Sequence, residues 1–470
     1  MIQDPHLLRR ADKRGIMERT ENKMGVMPVK KLVVSMSLPM MVSMLVQALY
    51  NIVDSIFVSQ ISEAALTAVT LAFPLQNLMI AVASGTGVGI NALLSRSLGE
   101  KDYRKADQAA NTGLFLAFLS FLAFLVIGLT VSGPFISSQT SDPTIREYGV
   151  TYIRICCTLS IGVFFQITLE RLLQATGRTL YSMYSQITGA VINMIFDPIM
   201  IFGLLGFPKM GVAGAAYATV LGQCLASVLG LFLNRKFNSD ITLSFREIIH
   251  PDRPTIRQIY AVGVPSILMM SIGSIMTYLM NRIVGTFSST ATAVFGVYFK
   301  LQSFFFMPVF GLNNGLIPVL AYNLGAKKTD RIREALRFSV KLAFAVMVVG
   351  TLCFELIPGP LLKIFNASSQ MLAIGSPALR IIAVHFPIAA ISIVLGSVFQ
   401  AFSRSIYSLI ISVCRQLVVL IPTAWLLSLT GNLNNVWWCF PISEIVSLTI
   451  SYIFFRKVMR DVSEEIGVQV

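Results

Sequence analysis

SLPMMVSMLVQALYNIVDSIFVSQ (37–60) holds one charged residue, Asp54, in an otherwise uncharged, mostly apolar run. A helix needs about 20 predominantly apolar residues to cross the hydrocarbon of a bilayer, so this stretch reads as a membrane span. Eleven further runs of that kind follow, at about 64–95, 107–131, 146–169, 180–204, 211–233, 257–284, 291–322, 334–357, 371–399, 406–428 and 434–455. In lipid every backbone amide must be satisfied internally, so all twelve are expected to be helices. The composition agrees: 55% of the 470 residues are hydrophobic and 13% charged, against roughly a quarter charged in a soluble domain. A net charge of +14 would suit nucleic acid if the cations formed a patch. Instead they sit in short clusters between apolar runs, which excludes that class.

Those clusters set an orientation. The segments on the side of the N-terminal tail carry 28 Lys and Arg residues, against Arg146, Lys209 and Lys363 on the other. The positive-inside rule then predicts both termini in the cytoplasm, in a multi-pass protein of the plasma or inner membrane. The first thirty-one residues read as a basic cytoplasmic tail, with no short apolar core and cleavage site of a signal peptide.

The chain repeats itself. Shifted by 226, residues 39–182 align with 265–408 without a gap, with 30 identities in 144 positions. Pro39 falls on Pro265, Gly85 and Gly89 on Gly311 and Gly315, Leu98-Gly99 on Leu324-Gly325, and Gln174-Ala175 on Gln400-Ala401. Six spans per repeat give both halves the same orientation, related by a pseudo-twofold axis along the membrane normal. The expected organisation is a tail at 1–31, a first lobe at 32–233, a polar linker at 234–256, a second lobe at 257–455 and a C-terminal tail at 456–470. The fold class is thus an all-α integral membrane protein with twelve transmembrane helices in two parallel six-helix lobes. Two such lobes flanking a cleft suit a transporter. An intramembrane enzyme needs a nucleophile and base, or metal ligands, together at membrane depth. The lone His385 and six dispersed cysteines supply neither.

Charge at membrane depth costs about 2.5–3.5 kcal/mol per residue on insertion scales. Asp54 in span 1 and Asp197 in span 5 therefore stand out. Gln47, Tyr50 and Asp54 share one helical face at i, i+3, i+7, and Asn193 and Asp197 share another at i, i+4. Pro198 cannot donate its amide and is expected to loosen the helix beside the acid, giving an oxygen-rich site for a cation or proton. Glu170, next to Arg171, is expected at the cytoplasmic boundary. The second lobe holds Arg282, Lys300, Glu355, Arg415 and Glu444. The repeat places Gly273, Met280, Ala378, Val419 and Thr423 where the first half has Gln47, Asp54, Tyr152, Asn193 and Asp197. The polar set thus belongs to one half only.

Span 1, together with NMIFDPIMI (193–201), GVAGAAYAT (211–219), LLQATGR (172–178) and VFQAFSR (398–404), resembles the multidrug and toxic compound extrusion (MATE) family over about residues 30–460. The Asn-x-x-x-Asp-Pro pattern is similar to that of its DinF-like prokaryotic branch. That resemblance implies a coupling-ion site at Gln47, Asp54, Tyr152, Asn193, Asp197 and Thr219, with Na⁺, if it is the ion, held by Asp54, Asn193 and Asp197. Pro39 matches the proline at which the first span bends in the family. Spans 7 and 10 lack the acids of the NorM-like branch, so no second-lobe sodium site is expected.

The function expected from this is secondary active multidrug efflux, with bulky, amphipathic and often cationic compounds exported by antiport with H⁺ or Na⁺. Tyr50 and Lys300 are candidates for the substrate cleft. The alternative is a lipid or polysaccharide flippase of the same superfamily. A major facilitator transporter is disfavoured because SRSLGEKDYRKA (95–106) lacks that family's Gly-x-x-x-Asp-Arg-x-Gly-Arg pattern. No cofactor beyond the coupling ion is expected. The expected partners are small-molecule drugs or toxic compounds and the lipid bilayer, with no nucleic acid, and the protein is expected to act as a monomer.

Overall fold

The computed structural model describes residues 21–365 and 367–467; the tail cations Arg9, Arg10, Lys13, Arg14 and Arg19 lie outside them. Twelve long helical units follow one another. They are α1 (Val29–Ser59), α2 (Glu63–Gly99), α3 (Tyr103–Thr130), α4 (Pro143–Thr158 and Ile161–Ala175), α5 (Thr179–Phe202) and α6 (Val212–Phe237). After the linker come α7 (Arg253–Gly285), α8 (Ser289–Gly325), α9 (Thr329–Leu356), α10 (Ser369–Ala383 and Phe386–Ala401), α11 (Ile406–Ser428) and α12 (Cys439–Ile466). Ten pass the length and apolarity of a membrane span unaided, and α4 and α10 pass as pairs bent by 48° each. Each unit falls on one of the twelve expected runs. α12 continues as helix past residue 455 into the stretch expected to be tail.

The internal repeat is visible in the backbone. α2 and α8 end in the same turn: Lys101 and Lys327 adopt φ of 59° and 56°. The amides of Asp102 and Lys328 reach back to the Ser97 and Asn323 carbonyls at 2.9 Å each. α4 and α10 end alike at Gly177 and Ser403 (φ 86° and 58°), where the amides of Arg178 and Arg404 donate to the Leu173 and Phe399 carbonyls at 2.7 Å each. A left-handed residue closing a helix satisfies its last carbonyls, and both halves use it at matched positions.

The halves meet on the tail side. α2 packs along α7 and α1 along α8. Small residues make this close: a Cβ on Gly99 would sit 2.0 Å from the Tyr322 carbonyl oxygen, and one on Gly325 2.2 Å from that of Arg96. Tyr322 and Arg96 are themselves related by the 226 shift, so this contact obeys the twofold. Across the same seam Ser37 Oγ donates to the Leu312 carbonyl at 3.3 Å and Arg171 Nη1 to Asn314 Oδ1 at 3.2 Å. One apolar core runs through it, joining Leu94 and Leu98 to Leu316 and Leu320. The far ends of α1, α2, α4, α5 and α6 keep a separate core around Val58, Leu75, Tyr152, Phe164 and Ile201. The far end of the first half therefore shares no core with the second.

A strap crosses the closed end. Residues 21–27 lie over both halves. Asn22 Nδ2 donates to the Thr176 carbonyl of the first half (2.9 Å) and to Asp240 of the linker (3.3 Å). From the second half, Lys328 Nζ donates to Glu21 (2.6 Å) and to the Gly25 carbonyl (2.9 Å). Arg331 Nη2 donates to the Met24 and Met27 carbonyls at 3.0 and 2.7 Å. Arg178 is ion-paired with Asp240, completing the first-half anchor.

Candidate ion-coupling site

The site is built where α1, α4, α5 and α6 converge. α5 and α6 touch because glycines let them: a Cβ on Gly222 would lie 2.6 Å from the Gly189 carbonyl, and one on Gly214 2.5 Å from that of Met200. This brings Thr219 of α6 to Asn193 of α5, whose Nδ2 donates to Thr219 Oγ1 at 3.1 Å and to Asp197 Oδ1 at 3.5 Å. Asn193, Asp197, Thr219 and Tyr152 are each 3% exposed or less, while Asp54 and Tyr50 are half-buried.

The Asp54 and Asp197 carboxyl groups face each other across the α1–α5 contact. Tyr50 faces both acids and Thr219, and Tyr152 faces Asp54 and Tyr50. Asp54 Oδ1, Asp197 Oδ2 and Asn193 Oδ1 are buried and have no donor among the described residues. Ionised carboxylates have acceptor oxygens only, and an orphaned buried acceptor costs about 1–3 kcal/mol. Orphaned acceptors on two acids that face each other fit a proton shared between them, or a small cation. Helix α5 stays helical through Pro198; the expected loosening leaves no break, and α1 likewise runs unbroken through Pro39.

Five of the six coupling-site residues named from the family pattern thus stand together with Tyr50. The sixth, Gln47, has its Oε1 accepting from Gln186 Nε2 of α5 at 2.9 Å. Sequence reasoning did not assign two partners: Gln186, and Gln76 of α2, whose Nε2 donates to the Tyr152 hydroxyl at 3.5 Å. Gln76 had a signal, since it pairs with Gln302 in the repeat. Gln302 Oε1 accepts from the hydroxyl of a different tyrosine, Tyr298, at 2.6 Å. Glu170 stands five residues before the tail-side end of α4 at Ala175. It lies inside the first half at 5% exposed, receiving hydrogen bonds from Gln166 Nε2 (3.0 Å) and Ser185 Oγ (3.2 Å). Those two polar partners make an interior carboxyl tolerable, and neither is visible from a neighbouring arginine.

The second half offers a different chemistry. Arg415, at the start of a π-helical segment of α11 (Cys414–Leu420), pairs with Glu444 of α12 at 3.6 Å. Glu444 therefore answers Arg415 rather than Lys300. Lys300 is exposed, its Nζ 5.9 Å from the centre of the Phe365 ring, and it joins none of the coupling-site residues.

Twelve membrane helices in two sequence-related halves, with a carboxyl pair in one of them, are the architecture of a membrane transporter. The chain belongs to the MatE family, whose model matches once in each half, at residues 39–199 and 265–426. Multidrug export protein MepA of Staphylococcus haemolyticus (strain JCSC1435) is 25% identical over 418 residues, covering 88% of this chain and 91% of that one. An FAD transporter of Shewanella oneidensis is 25% identical over 440 residues, 93% of this chain and 96% of that one. A solved structure described as the outward-facing conformation of a multidrug resistance MATE family transporter of the MOP superfamily superposes with a TM-score of 0.88. It is 25% identical, with 95% of this chain and 99% of that one covered.

Proposed function

We propose that the protein is a secondary active exporter that couples inward flow of H⁺ or Na⁺ to expulsion of bulky, amphipathic and often cationic compounds. The observation that carries this reading is the carboxyl pair Asp54–Asp197, with one orphaned oxygen on each acid, at the edge of a half whose far end has its own core. The ion would bridge the two acids, altering the contact of α1 with α5 and α6. The lobes would then rock about the tail-side seam. With both termini cytoplasmic, the closed end faces the cytoplasm and the cleft opens outward. The MepA relative is described as a multidrug export protein, which supports the same substrate class.

The test is efflux of a fluorescent cation from proteoliposomes, with pH and sodium gradients imposed one at a time. Efflux driven by only one gradient names the ion. Efflux indifferent to both would overturn the coupling reading. Movement of FAD without movement of any organic cation would overturn the substrate reading.

A further inference from the structure

We propose that a groove on the tail-side ends of α1 and α9 binds the headgroup of an anionic membrane phospholipid. The groove holds about 700 Å³ and is lined by Lys30 of α1 and by Asp330, Arg333, Glu334, Arg337, Phe338 and Lys341 of α9. Arg333, Arg337 and Lys341 follow one another at four-residue spacing, so they stack on one helical face, where like charges repel. None of the groove's four cations forms an ion pair among the described residues. With its two carboxylates counted, the groove keeps an excess of two positive charges.

The matching place in the first half explains why this groove is open. Under the 226 shift Arg333 and Arg337 fall on Asp107 and Asn111 of α3. There the interlobe linker lies on the helix. Asp107 accepts from the Thr242 amide, and Asn111 Nδ2 donates to the Thr242 carbonyl (2.9 Å) and to Glu247 (2.8 Å). Among the described residues, no hydrogen bond of that kind ties a segment to Arg333 or Arg337. The second half carries cations where the first half carries linker-binding groups.

The occupant is named by what continues beyond the cations. Past Lys341, α9 exposes Phe344 (44%), Val349 (55%), Leu352 (50%) and Leu356 (74%). Phe344 and Leu352 continue the face of Lys341, and the stretch from 344 to 356 rises about 18 Å. That is a little more than one leaflet of a hydrocarbon core about 30 Å thick. A free anion would use only the cations, whereas a diacyl lipid uses the cations and the stripe. Basic pockets at the ends of membrane helices take lipid headgroups for this reason.

The experiment measures thermal stability of the purified full-length protein in neutral detergent with added phosphatidylglycerol, phosphatidylcholine or inorganic phosphate. Phosphatidylglycerol should raise the Tm of the wild type, and the other two should not. Each of R333Q, R337Q and K341Q should weaken the phosphatidylglycerol response about fivefold in half-saturating concentration, and the triple variant should abolish it. Equal shifts from both lipids, or a full phosphatidylglycerol preference in the triple variant, would overturn the proposal. So would a shift reproduced by phosphate alone. The Tm without lipid reports whether the triple variant folds; if it does not, R337Q alone decides the matter.

Discussion

At the scale of single residues, function in this chain is concentrated in the groups that are costly to keep. Asp197 is fully buried and faces Asp54. Removing either charge while keeping the shape therefore tests the site directly. Asp54→Asn and Asp197→Asn should each lower gradient-driven efflux at least about tenfold, the loss of one charge-assisted contact, with yield and Tm near wild type. The conservative variants Met280→Leu, which conserves volume, and Thr423→Ser, which keeps the hydroxyl, lie at the matching positions of the second half and should change efflux less than about twofold. Normal transport in both Asn variants would remove the acids from the mechanism. The face shared by Gln47, Tyr50 and Asp54, and that shared by Asn193 and Asp197, were legible in the sequence because helical spacing is rigid. The Gln47–Gln186 contact was not, because it depends on how far α1 slides along α5.

At the scale of elements, the tail-side seam rests on backbone contact between α2 and α8. Gly99→Ala or Gly325→Ala forces a methyl group into a carbonyl oxygen about 2 Å away, and overpacking of this kind costs about 1–3 kcal/mol. Gly296→Ala in the same helix α8 meets open space and should be neutral or slightly stabilising, since alanine favours helix over glycine by about 1 kcal/mol. Thermal denaturation in detergent checks the pair. The strap gives a second element-scale expectation. Arg331→Ala removes its donors to the Met24 and Met27 carbonyls and to Asn323 Oδ1. Spin labels on the tail-side ends of α3 and α9 should then report a longer, broader distance than in the wild type. An unchanged distribution would show that the glycine seam holds that end closed without the strap.

At the scale of the whole molecule, the side of the membrane on which the linker lies decides which way the closed end faces. Phe245 in the linker is 78% exposed, so F245C in a cysteine-free background is accessible from whichever side the linker faces. A membrane-impermeant thiol reagent should leave it unlabelled in intact cells and label it in inside-out vesicles. Labelling in intact cells would reverse the direction argued above. The same exposure makes this position safe to change, since the linker is held through Thr242, Ser244 and Glu247 instead.

Span number, the alternation of sides and the twofold repeat followed from the sequence alone. Each is set by quantities written along the chain: the length of apolar runs against bilayer thickness, the distribution of cations between loops, and identities at a constant offset. Even the matched helix ends at Gly99 and Gly325 announced themselves that way. The rest belongs to tertiary structure. Only the fold brought Thr219 to Asn193 and Asp54 to Asp197, buried Glu170 between Gln166 and Ser185, and joined the halves at one end. It also laid the linker on α3 and left a groove beside its counterpart α9 among the described residues. Those outcomes depend on the crossing and sliding of helices, which glycine contacts set to within an ångström and which no periodicity along one chain segment encodes.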